Sequence, residues 1–372
     1  MTADRRDFLK LTGMGALAGL LPERAPAPPP RNWLWIPNTA RRSADEWKRE
    51  FARLRAAGID AVLPEIYDGR NAFFASLRLP VKTDWLGQLL PIARDEGLEL
   101  HAWMWALPCM IDAVMEAHPD WYNVNALGQS AVDQPAYVPY YRFLDPGRPE
   151  VREWVRDTVR ELAAIPGLAG IHLDYIRHPD AILAKGLRAK YAIVQDQVYP
   201  RYDYGYSDYA RGRFKAAFGA DPRAGLDPAL GRAWLQFRRD AVTDLVNDYL
   251  VPAARAGGKR ITAAVLPGPS LARVNAMQDW GRWRLDGFMP MLYNNFYEEA
   301  PDWIAARTAE AVAAVRRPVY SGLFAGDLPD DGFARSIDLA LGAGAAGVAV
   351  FADFMMTGAK FQILRRHATA PR

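Results

Sequence analysis

The stretch GIHLDYIRHP, Gly170 to Pro179, begins as alternating apolar residues and ends in Asp174, Tyr175, Arg177 and His178. Within about one strand length the chain passes from packing chemistry to polar chemistry. Side chains alternate along a strand, so Gly170, His172 and Asp174 share one face while Ile171, Leu173 and Tyr175 share the other. The apolar set meets covering helices, which leaves Asp174 at the carboxyl end of the opposite face. The same alternation in IDAVLPEIY groups Glu65 with Ala61, Leu63 and Tyr67, and in GVAVFADF it groups Asp353 with Ala349 and Phe351. Three carboxyl groups thus converge on one end of the fold. Hydrolysis of a glycosidic bond needs two of them, one to protonate the leaving oxygen and one to act as base or nucleophile. Asp174 is the first candidate, Glu65 the second and Asp353 the third. For each the plainer reading is a structural ion pair, with Arg177 a partner for Asp353 and Arg70 for Glu65.

An aromatic lining accompanies these acids. Trp103 and Trp105 fall on the face that also carries His101; Trp35 lies on the first strand, and Tyr293 and Asn294 lie on the sixth. With Tyr175 and Arg177 they form the candidate substrate-binding set. Indole faces suit the C–H faces of pyranose rings, whose hydroxyls bond at the edge. For any single tryptophan, filling volume is the simpler role, but the chain has 12 and several fall near the same end. His172 sits deeper and reads as a hydrogen-bonded core histidine. No metal or cofactor is expected, because the first strand lacks a His-x-His pair and Cys109 is the only cysteine.

Eight strand-like runs carry these residues: 32–38, 59–67, 98–108, 168–177, 260–268, 287–295, 317–326 and 347–354. Helical patterns separate them, which predicts a (β/α)8 TIM barrel over residues 31–372. An open doubly wound sheet would want a glycine-rich loop after its first strand, and WIPNTARRSADEW offers none. Ser43 and Glu46 read as a capping box with Gly58 as a stop, and the helix after Arg148 has proline in its first turn. Two long loops dense in tyrosine follow the third and fourth strands, where a barrel keeps its binding loops. Half the residues are hydrophobic and the net charge is only +3, so a large core is expected and nucleic acid is not.

Residues 1–30 carry a different message. DRRDFLK precedes the apolar run LTGMGALAGLL and then PERAPAPPP, the parts of a twin-arginine export signal with cleavage near Ala25 or Ala27. The run is too short to span a bilayer, and no lipoprotein cysteine follows it. The expected product is periplasmic or secreted, has no stable membrane anchor, and meets the twin-arginine export machinery only in transit.

GIHLDYIRHP, together with GLELHAWMW, LDPGRPEVREWV and GFMPMLYNNFY, resembles the glycosyl-hydrolase-like 10 family over nearly the whole mature chain. That resemblance implies a barrel glycoside hydrolase of the bacterial envelope, with a polysaccharide substrate and peptidoglycan glycan strands as its candidate. The second strand departs from the family, ending in PEIYDGR where a glutamine-valine-arginine type ending is expected. The competing reading is a non-catalytic carbohydrate-binding barrel, which would keep Trp103, Trp105 and the tyrosine loops without needing paired acids.

Overall fold

The structure, a computed structural model, describes residues 32–39, 42–326 and 328–369. The export segment lies outside the described residues. Strands β1 (Asn32–Ile36), β2 (Ile59–Tyr67), β3 (Glu99–Trp105), β4 (Gly170–Asp174), β5 (Arg260–Val265), β6 (Gly287–Pro290), β7 (Tyr320–Phe324) and β8 (Gly347–Phe351) all appear where apolar runs predicted them. They pair in parallel in the order β6-β5-β4-β3-β2-β1-β8-β7. Between β6 and β7 only the isolated bridges Phe288↔Val319 and Met291↔Gly322 form, and they bring the sheet nearly to a closed barrel. Gly322 is required there, because a Cβ would stand 2.7 Å from the Pro290 carbonyl oxygen.

Alternation sorts the strands' side chains into two cores. Leu34 and Ile36 of β1, Val62 of β2 and Ile171 and Leu173 of β4 pack outward against the helices. Trp33, Trp35, Trp103, Met289 and Tyr320 fill the interior, and Ala61, Ala264 and Ala349 make room for the indoles. One expectation fails here. The β2–β3 register shifts between Glu65 and Tyr67, so Tyr67 packs in the outer core instead of following Glu65 inward.

Local signals hold the surrounding helices. Helix 44–56 opens with the predicted capping box, in which the Ser43 N–H donates to Glu46 Oε2 at 2.7 Å and the Glu46 N–H donates to Ser43 Oγ at 3.3 Å. Helix 149–163 begins on Pro149. The two long loops are not structureless. They pair through the bridge Asn125↔Tyr204, stack Tyr137 on Tyr202 at 4.4 Å, and join Asn123 Nδ2 to His178 Nδ1 at 2.9 Å. Together they make one packed layer beside the mouth, and helix 208–218 and helix 228–244 extend it with a small core of their own around Phe214 and Trp234.

Candidate active site

A cavity of about 430 Å³ opens at the carboxyl end of the strands, and both Glu65 and Asp174 line it. Asp174 is the last residue of β4. Its Oδ1 accepts the Tyr175 backbone N–H at 2.7 Å and its Oδ2 accepts the Trp103 indole N–H at 3.1 Å. Burial pushes its carboxyl pKa up, while these two donors and the Arg177 guanidinium pull the other way. Tyr175 has φ +50°, a left-handed conformation costing a residue with a side chain about 1–2 kcal/mol. That turn breaks the strand alternation and carries the ring into the cavity wall, 4.8 Å from Trp105.

Glu65 reaches the same cavity from β2 and is only 6% exposed. Its Oε2 accepts the Asn38 backbone N–H at 3.1 Å. Burial is the main force on its carboxyl; with the nearby charges of Asp68 and Asp174 it lifts the pKa from 4.5 to about 7. Two acids therefore share one cavity in unlike surroundings. Asp174 is held by two hydrogen-bond donors and a cation, whereas Glu65 has one completed backbone bond, the Trp105 indole N–H close by and two anionic neighbours.

The remaining candidates divide. Trp35, Trp103, Trp105, Tyr175, Arg177 and Tyr293 line the cavity. Trp35, however, donates its indole N–H to His172 Nε2 at 3.2 Å, and His172 Nδ1 meets Thr262 Oγ1 at 2.9 Å. Burial lowers the His172 pKa to about 3, so it is a neutral core histidine as its depth suggested. His101 lies four register pairs deeper than Trp105, bonded to Glu99 at 3.2 Å and packed on Trp33, and it does not line the cavity. Asn294 turns away as well, donating Nδ2 to the Glu299 carbonyl at 2.9 Å. Asp353 is the third displacement. β8 stops at Phe351, and Asp353 sits in the following short turn, 2.9 Å from Arg42 Nη1 and outside the cavity. Its partner is thus Arg42; Arg177 is bonded to Asp180 at 2.9 Å.

Sequence reasoning missed Tyr141 and Asp180. The Tyr141 hydroxyl and Arg177 Nη1 both donate to Asp180 Oδ2 at 2.9 Å, and all three residues border the cavity. The aromatic density of the loop after β3 was the available signal for Tyr141. Asp180, one residue beyond the conspicuous HP pair, had none. Leu183, Leu187, Phe296 and Phe324 form an apolar wall, and Lys185 and Glu298 join the loops that carry it with a 2.6 Å ion pair. Among the described residues no group of His, Cys, Asp and Glu is arranged to hold a metal ion.

Comparison with known proteins agrees with this architecture. The catalytic domain of β-amylase from Paenibacillus polymyxa superposes with a TM-score of 0.63 at 12% identity, covering 92% of this chain and 98% of that one. A β-galactosidase from the psychrophilic Marinomonas ef1 gives a TM-score of 0.64 at 13% identity, covering 91% of this chain and 59% of that one. Identities this low establish the barrel alone. No curated protein sequence matches. The glycosyl hydrolase-like 10 profile matches residues 78–331, a span that includes Asp174 and leaves out Glu65 and Asp353. With two thirds of its length inside that match, the chain belongs to the glycosyl hydrolase-like 10 family.

Proposed function

We propose that this protein is an exported glycoside hydrolase that cleaves a polysaccharide with inversion, using Glu65 as general acid and Asp174 as general base. The observation that carries the reading is the pair of buried carboxyls in one cavity, of which Glu65 keeps its proton up to about pH 7. A carboxyl in that state can protonate a glycosidic oxygen at neutral pH, while a carboxylate fixed by donors can accept a proton from water. In the reaction the Glu65 proton passes to the leaving oxygen as the C–O bond breaks. Water adds to the anomeric carbon from the opposite face and loses a proton to Asp174. β3 separates the two strands, so their backbones stand about 9–10 Å apart. Carboxyls on such a frame suit the wider separation of about 6.5–9.5 Å that leaves room for a water.

The substrate we infer is an envelope glycan, with peptidoglycan strands foremost. Family membership supports a glycan substrate, and the twin-arginine sequence supports work outside the cytoplasm. The test is to incubate the mature protein with peptidoglycan and a panel of other glycans, identify the new reducing ends, and read the anomeric configuration of the first product by NMR. Release of the inverted anomer is expected. Binding without any released ends would leave the carbohydrate-binding barrel in its place, and a retained anomer would make one of the acids a nucleophile.

A further inference from the structure

β3 lies between the two acid-bearing strands and carries two tryptophans on its inner face. The registers run Glu65↔Trp103 and Trp105↔Asp174. The indole N–H groups cross these registers. Trp103 stands opposite Glu65 yet donates to Asp174 at 3.1 Å, and Trp105 stands opposite Asp174 yet brings its indole N–H beside the Glu65 carboxyl. Only the first of these is a completed bond. The Trp105 Nε1 is fully buried and has no hydrogen-bond partner of normal geometry. A buried donor left unpaired is destabilising, and its presence beside a reacting group calls for a reason.

On the hydrolase reading above, we propose that Trp105 is a positioning residue whose indole N–H stands idle while Glu65 is protonated and bonds to the carboxylate once the proton has gone to the leaving group. Such a donor stabilises charge that appears only during the reaction and costs no reorganisation at that moment. The ring is already fixed for the task, packed 4.8 Å from Tyr175 and 5.5 Å from Tyr140. The other groups bearing on Glu65 are Asp68 past the end of β2, the Asn38 N–H past β1 and Asp174 on β4. Across the cavity lie the Arg177–Asp180 pair and the phenols of Tyr175 and Tyr293. Of the side chains acting directly on Glu65, Trp105 supplies the N–H donor; Asp68 and Asp174 raise its pKa and cannot take that part.

The experiment follows the Glu65 carboxyl by ¹³C NMR titration, assigned with Glu65→Gln, in the wild type and in Trp105→Phe, which keeps an aromatic plane and removes the N–H. Loss of the donor should raise the Glu65 pKa by about one pH unit, a tenfold change in its ionisation constant. In the wild type the Trp105 indole proton should move downfield through the same midpoint. An unchanged carboxyl midpoint, or an indole proton indifferent to pH, overturns the proposal, and the wild-type indole reading decides alone if Trp105→Phe does not fold. Neither readout needs turnover. A protein that cleaves no glycan but shows the coupled titration would remove the hydrolase reading and keep this one; a working hydrolase with uncoupled titrations would do the reverse.

Discussion

Replacing Glu65 by Gln should change how stability depends on pH, in a direction that follows from its surroundings. The folded-state pKa of about 7 lies above the ordinary 4.5, so between those values the native state binds the extra proton. Wild-type stability therefore falls as pH rises through this window, and the penalty is absent below about 4.5. The size of the gap corresponds to about 3 kcal/mol, an upper figure because Asp174 titrates in the same cavity. Gln keeps an oxygen for the Asn38 N–H and carries no charge at any pH, so the variant should escape the penalty. Urea unfolding at constant ionic strength, run near pH 4.5 and near pH 8, reads this as a difference of differences in which titrations uncoupled from Glu65 cancel. The variant should gain on the wild type by about 2–3 kcal/mol at the higher pH relative to the lower. Hydrolysis should meanwhile collapse for substrates with poor leaving groups, because the amide has no proton to give. A stability difference that does not vary with pH would refute the elevated pKa and, with it, the choice of Glu65 as acid.

Other outcomes follow from the same geometry. Asp174→Asn should reduce turnover at least about a hundredfold while glycan binding persists; undiminished hydrolysis by a folded variant ends its assignment. Gly322→Ala should destabilise the barrel by about 1–3 kcal/mol in urea unfolding, since the new Cβ meets the Pro290 carbonyl at 2.7 Å. An unaltered midpoint would mean that the β6–β7 approach relaxes freely. Changing both Arg5 and Arg6 to Lys should hold the precursor in the cytoplasm in a fractionation experiment, and continued export would dismiss the twin-arginine reading.

Strand positions were legible because a parallel barrel buries both faces of every strand, leaving eight apolar runs in the sequence. Their ends were less so. Apolar residues such as Leu266, Leu292 and Ala352 continue past the ends of β5, β6 and β8, and the runs were read too long. Alternation gave the face of Glu65 and Asp174 correctly, but it says nothing of depth, which is why His101 was placed with the site. It also fails wherever the backbone leaves the pleat: at the register shift that turns Tyr67 outward, at the positive φ of Tyr175, and after Phe351, where the chain turns Asp353 onto Arg42. Trp103 shows a further limit. Its face was read correctly, but the bond to Asp174 was not foreseen, because a platform for sugar and a donor to a carboxylate look alike as a letter in a strand.

The joint between β6 and β7 has a mechanical meaning. Five register pairs link β3 to β4 and five link β7 to β8, whereas two bridges hold this joint. Tyr293 and Phe296 hang from one side of it and Phe324 from the other, with their rings 5.0–5.5 Å apart across the gap. Those tilted, touching rings therefore act as a clasp above a thinly stitched part of the cylinder wall. A bulky sugar pressing between them would be opposed by aromatic contacts and two backbone bridges, where between β3 and β4 it would have to strain five register pairs. The barrel thus has a compliant side, facing its apolar wall, and a stiff side, where β2, β3 and β4 keep the two acids at a fixed separation.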